Sequence, residues 1–132
     1  MRRVRDWIVQ ALADLKAAQD LMASSNYAWA CFASHQAAER ALKAVLEHFG
    51  TPSTCYNLLE LLDEVSAHVG IPEELREDCK TLNRYYIPTR YPNAFPSGAP
   101  AEMYDEKDAR DACLRAERVV RFAQSVTGVA QS

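Results

Sequence analysis

The sequence lacks the signatures of several large function classes. No apolar run approaches the roughly twenty residues that a membrane-crossing helix needs. The N-terminus, MRRVRDWIVQALADL, gains Asp6 and Asp14 too soon after its arginines to read as a signal peptide. No membrane partner and a cytoplasmic location are therefore expected. There is no glycine-rich phosphate loop, no HExxH and no GxSxG, so the chemistries those motifs carry have no basis here. Four cysteines, at 31, 55, 79 and 113, include no CxxC pair. Without that spacing no zinc or thioredoxin-like centre is expected, and the thiols read as reduced structural groups. Neither a metal nor a cofactor is expected. A net charge of −3 gives no global basic field, which excludes broad electrostatic capture of nucleic acid but leaves room for a local basic patch. There is no strand pattern, no internal repeat and no low-complexity tract.

What is present is helical periodicity. The 132 residues, 48% hydrophobic and 25% charged, suit one globular domain over 1–128 with a frayed tail at 129–132. Trp7, Ile8, Ala11, Leu12, Leu15, Ala18 and Met22 recur at three- and four-residue steps and predict a helix from about Arg3 to Ser24. Ser24-Ser25-Asn26 ends it and offers a cap to the next. The second helix, Tyr27 to Phe49, carries a face of Tyr27, Ala30, Cys31, Ser34, Ala38, Ala41, Leu42, Val45 and Phe49. Its many alanines imply a closely approaching neighbour, and Gly50 stops it. A third helix covers Asn57 to Val69, and a fourth starts at Pro72, with Glu73 and Glu74 placed for the helix dipole, and runs to Tyr86. Four of the six prolines then fall between Ile87 and Tyr104, so no regular helix is expected there. The last helix opens at Asp105, a good cap, with a stripe of Ala109, Ala112, Cys113, Ala116, Val119, Val120, Ala123 and Val126. The expected fold is an all-α, up-and-down bundle of about five helices with a long proline-rich loop before the last.

Three groups of residues stand out as sites. On the second helix, Trp29, Phe32, Gln36, Glu39, Arg40 and Lys43 fall opposite the alanine stripe. Aromatics beside Gln, Glu and Lys are unusual on a solvated face. They either pack and pair within the domain or form a subunit interface or pocket. His35, at the border of the two faces, reads first as a border residue, and His48 and His68 as C-terminal caps. The densest candidate is Asn83-Arg84-Tyr85-Tyr86-Ile87-Pro88-Thr89-Arg90-Tyr91-Pro92-Asn93. Arginine forks suit phosphate and tyrosine rings suit bases; alternatively, the tyrosines pin the loop to the bundle and the arginines pair with carboxylates. Phe95 is expected to anchor the loop by burial. Arg110, Arg115, Arg118 and Arg121, interleaved with acids, read as a solvated face of helix-spaced pairs.

Trp7 with Ala13-Asp14-Leu15, then Tyr27, Phe32 and the run His35-Gln36-Ala37-Ala38-Glu39-Arg40-Ala41-Leu42-Lys43-Ala44, then Leu58 to Leu62 and Arg90-Tyr91-Pro92, together resemble the HEPN family (higher eukaryotes and prokaryotes nucleotide-binding) over about residues 5 to 125. The resemblance implies a prokaryotic helical bundle, often a homodimer, frequently paired with a minimal nucleotidyltransferase in what look like toxin–antitoxin modules. The leading reading is a binding module in which Arg84, Arg90, Tyr86 and Tyr91 contact nucleotide, phosphate or RNA, and Trp29, Phe32, Gln36, Glu39 and Lys43 build a dimer or partner face. Some branches of the family are RNases with an arginine and a histidine separated by four to six intervening residues. After Arg84 those positions hold Thr89, Arg90 and Tyr91. The third helix is approached by Cys55-Tyr56 where Thr-His is common. Metal-independent RNA cleavage would then lack its usual base, leaving Arg84, Arg90, Tyr91 and His35 as candidates in a composite dimeric active site. The remaining alternative is a structural adaptor without catalysis.

Overall fold

The computed structural model describes residues 2–130. Six α-helices succeed one another: α1 (Val4–Ala23), α2 (Tyr27–His48), α3 (Leu58–Ser66), α4 (Glu73–Leu82), α5 (Pro100–Met103) and α6 (Glu106–Thr127). No strand occurs among the described residues. Three long helices make the body. α2 packs on α1 along one side and on α6 along the other, while α3 and α4 close one flank against α2 and α6.

Local chemistry sets most of the boundaries. α1 and α2 are joined by Ser24–Asn26, where Ser25 takes a left-handed φ of 66° and the Asn26 N–H bonds back to the Leu21 carbonyl. Asn26 precedes α2 without a side-chain cap bond. Asp105 caps α6 by accepting from the Asp108 N–H, and Asp108 reciprocates. Gly128 ends α6 at φ 75°, a conformation that favours glycine. The expected frayed tail at 129–132 falls partly outside the described residues; Val129 and Ala130 are non-helical.

The expected alanine stripe is core along Ala30, Cys31, Ser34, Ala38, Ala41, Leu42 and Val45, and only its ends, Tyr27 and Phe49, are half-buried. Ala37 and Ala44 are fully buried beside it, and the small alanines let α1 and α6 both approach α2 closely. Ile8, Leu42, Leu46, Leu58, Leu61, Leu62, Leu82, Val119 and Val120 fill the space between helices. Cys31, Cys79 and Cys113 are buried free thiols, and Cys55 is half-buried. Burial pushes Cys31 and Cys79 up to about 12, the signature of inert packing groups.

The structure departs from the sequence-based reading in several places, three of them in the framework of the fold. α4 stops at Leu82 rather than Tyr86, and a tighter 3-10 turn carries Asn83–Tyr85. The reason is Asn83, whose side chain accepts from the Leu58 N–H at 2.9 Å and donates to Asn57 Oδ1 at 3.2 Å. Asn57 in turn caps α3 at the Leu59 and Glu60 N–H groups. The proline-rich stretch is not wholly irregular: α5 occupies Pro100–Met103, with proline in its first turn and the Glu102 carboxylate accepting from the Ala99 N–H. The arginines of α6 are not all solvated. Asp78 of α4 is fully buried and receives Arg118 at 2.6 and 2.9 Å and Arg115 at 3.1 Å, a knot that fastens α4 to α6. Arg110 and Arg121 do make local helix pairs, with Glu106 and Glu117.

Candidate functional site

The Asn57–Asn83 clasp places two tyrosines side by side. Tyr56 precedes Asn57, the cap of α3, and Tyr86 follows the 3-10 turn after α4. Their rings stack with centroids 4.6 Å apart and planes at 18°. Tyr86 also meets two side chains of α2, Phe32 at 6.1 Å and His35 at 5.1 Å. Trp29, one turn before Phe32, contacts it edge-on at 6.0 Å. The contacts therefore run in series: Tyr56, Tyr86, Phe32, Trp29.

Arg90 lies on this series. Its guanidinium carbon is 4.3 Å from the Phe32 ring centre, 4.7 Å from Tyr86 and 5.3 Å from Tyr91. Aromatic faces attract a cation at these distances. Its Nε donates to the Tyr86 carbonyl at 2.9 Å, which fixes the fork while leaving its terminal amino groups for another acceptor. The loop beneath is held by Thr89, which is buried and donates its hydroxyl to the Tyr85 carbonyl at 2.6 Å. Tyr85 packs edge-on against Tyr104, as does the half-buried Phe95, so the expected anchoring of the loop by aromatic burial is present. The alternative, in which its arginines pair with carboxylates, is not met among the described residues. Ion pairs among the described residues engage Arg3, Arg40, Arg76, Arg110, Arg115, Arg118 and Arg121; Arg84 and Arg90 stand outside them. Arg84 is exposed on the 3-10 turn two residues before Tyr86.

His35 is not a border residue. It is fully buried behind Tyr86, and burial drives its pKa down to about 4, with Arg40 and Arg90 pushing the same way. The Gln36 side chain and the Tyr56 backbone oppose the shift, yet neither reaches hydrogen-bond geometry, and both ring nitrogens are unpartnered. Gln36 Oε1 and Glu39 Oε1 are also buried without partners, so the unsatisfied polar atoms cluster on two turns of α2.

The structure divides the other α2 candidates. Glu39 and Lys43 are buried and pair with each other at 2.9 Å, with Lys43 Nζ 5.8 Å from the Trp7 ring of α1. They are covered within the chain. Trp29 is exposed, and Phe32 and Gln36 are half-buried. Arg40 reaches Asp14 of α1 at 3.0 Å. His48 ends α2, and its carbonyl accepts from Arg2. His68 does not cap a helix: it stacks on Phe49 at 4.7 Å and 6°, with Thr51 Oγ1 3.1 Å from its Nε2. Two features of the surface escape sequence reasoning. Tyr56 has no motif to mark it beyond its place before α3, and the Asn57–Asn83 clasp joins residues 26 apart.

Fold and surface together define a small helical-bundle protein that presents an arginine framed by aromatic rings. The chain belongs to the HEPN domain family, whose model matches residues 4–126. It is similar to TT1696 from Thermus thermophilus, at 41% identity over 96% of this chain and 99% of that one, with a TM-score of 0.92. It is also similar to ST0689, an archaeal HEPN homologue (34% identity, 95% and 98% coverage, TM-score 0.80). A HEPN domain protein of Thermotoga maritima, TM0613, matches at 32% identity over 95% and 99% of the two chains, with a TM-score of 0.77. A comparison with curated proteins gives no match.

Proposed function

We propose that this chain is a nucleotide- or RNA-associated binding module in which Arg90, with Arg84, takes phosphate and Tyr86 and Tyr91 take the adjoining base or sugar. The observation that carries this reading is the state of Arg90. Its guanidinium is oriented by three rings and one backbone carbonyl, and it has no carboxylate partner. A cation held in place with free N–H groups suits an anion from outside the chain. Family membership supports a nucleotide- or RNA-related role. The test is equilibrium titration of a labelled short RNA at several salt concentrations. Arg90→Ala is expected to weaken binding roughly tenfold to hundredfold, the worth of hydrogen bonds to a charged group, and saturable binding that is unchanged in Arg90→Ala refutes the assignment.

The partners follow from the same reading. HEPN domains commonly dimerise, and the half-exposed Trp29 is the α2 residue best placed to meet a second copy. A minimal nucleotidyltransferase as the second member of a toxin–antitoxin-like pair is tested by co-expression with such a protein and co-purification. The ribonuclease alternative requires a base within reach of a ribose hydroxyl. His35 lies behind Tyr86, fully buried, which favours binding over cleavage. RNA digestion by purified protein, with and without divalent metal, distinguishes the two.

A further inference from the structure

Away from Arg90, a cleft of about 710 Å³ opens between α1 and α6. Openings of this size hold small ligands. No residue of α2 lines it, so it belongs to the two outer helices and shares no side chain with the surface around Arg90. Its floor is aliphatic: Ile8, Leu12 and Leu15 come from α1, Val120 from α6, and Val129 from the chain just beyond the Gly128 turn. Val9 stands at its lip and is 45% exposed, which leaves a branched apolar side chain in water. Along α1 the lining runs from Arg5 to Asp20, about 22 Å of helix at 1.5 Å per residue. The opening is long and apolar at its base, a shape for a chain rather than for a compact group.

The charges on the rim are matched, with one exception. Lys16 pairs with Asp20 at 2.8 Å, and Arg121 pairs with Glu117. Arg5 makes no ion pair among the described residues. It is exposed, one helical turn before Val9 and on the same face. It also lies in the first turn of α1, where the helix dipole favours an anion. We propose that the cleft binds a long-chain aliphatic carboxylate, with its chain along the floor between α1 and α6 and its head group on the Arg5 guanidinium. The floor supplies apolar burial, and the single unmatched cation takes the single negative charge.

Two other occupants suit the cleft less well. A partner helix, about 10–12 Å across with its side chains, would present several polar groups to a rim with one unmatched charge. An anionic bilayer would meet Asp20 and Glu117 on the same rim, in a chain of net charge −3.

Isothermal titration of the full chain with octanoate, decanoate and dodecanoate tests the proposal. One saturable site is expected, tightening roughly two- to fourfold per added methylene, the worth of a methylene leaving water. Arg5→Gln is expected to weaken decanoate roughly two- to fivefold, the worth of an exposed ion pair, and to leave the neutral analogue decanol unaffected. Val9→Asp places a carboxylate at the lip and is expected to weaken both, decanoate more than decanol. Both positions are exposed, and thermal melts confirm that the variants fold. Unsaturable uptake, affinity independent of chain length, or binding unchanged in both variants overturns the proposal. So does an equal loss of decanoate and decanol in Arg5→Gln, and so does co-sedimentation with phosphatidylglycerol vesicles in place of binding to free dodecanoate. In sedimentation velocity, dodecanoate is expected to leave the oligomeric state unchanged. Dissociation of an oligomer on its addition assigns the cleft to a second copy and overturns the proposal.

Discussion

At the scale of single residues, His35 is the group with the clearest consequence. Its pKa falls from 6.5 in the unfolded chain to about 4 in the fold because burial disfavours the cation. Between those values the unfolded chain binds a proton that the folded chain refuses. The stability this group contributes is therefore complete above pH 6.5 and is lost as pH falls through 4, up to about 3 kcal/mol. Urea unfolding at a series of pH values should show this loss, and His35→Leu should flatten it. An identical pH dependence in both proteins would contradict the burial argument. Asp78 gives a second test. Its carboxylate holds Arg115 and Arg118 in a fully buried position, and Asp78→Ala should cost roughly 2–3 kcal/mol in the same measurement. The thiols give a third. With Cys31, Cys79 and Cys113 buried, an aromatic disulfide reagent should modify Cys55 alone in the native protein and all four cysteines in denaturant. Cys55 itself should react slowly at neutral pH, because partial burial and its bond to Glu60 raise its pKa.

At the scale of elements, α2 shows what a sequence does and does not disclose. Its alanine stripe is legible because burial follows a 3.6-residue period, and so is the existence of every long helix. The depth of burial on its other face is not. Glu39 and Lys43 look solvent-facing by type, yet α1 covers them once Trp7 lies over Lys43. That is a tertiary fact with no local signal. The arginines of α6 look solvated in sequence for the same reason: the buried partner of two of them lies on α4, 37 and 40 positions away. The candidate site is half-visible. Composition around the prolines suggests Arg84, Arg90 and Tyr91, whereas Tyr56 and the role of Phe32 as a seat for Arg90 need coordinates. Overpacking tests the tight contact that is visible. Ala41→Leu, at a fully buried position, should destabilise by about 1–3 kcal/mol in thermal or chemical melts. The clasp between α3 and α4 makes a different prediction. Asn83→Ala removes the acceptor for the Leu58 N–H, and should cost roughly 1–2 kcal/mol in chemical melts.

At the scale of the whole molecule, the chain carries a net charge of −3, and no helix among the described residues is long and apolar enough to cross a membrane. Whatever it binds must be held by local geometry rather than by a general field, so RNA affinity should fall only shallowly with salt, reflecting few phosphate contacts. That geometry converges on one side chain. The ring of Tyr86 touches Tyr56, Phe32, His35 and the guanidinium of Arg90, and its carbonyl accepts from the Arg90 Nε. Changes at these positions should therefore not combine independently. In a double-mutant cycle, Tyr86→Ala and Arg90→Ala should show an interaction energy of about 0.5–3 kcal/mol in RNA binding, whereas Arg90→Ala paired with a distant change such as Ala123→Gly should be additive. Engineering or natural drift at this surface would accordingly favour groups of compensating substitutions, because a change at any one of the four neighbours alters the contacts Tyr86 makes with the other three.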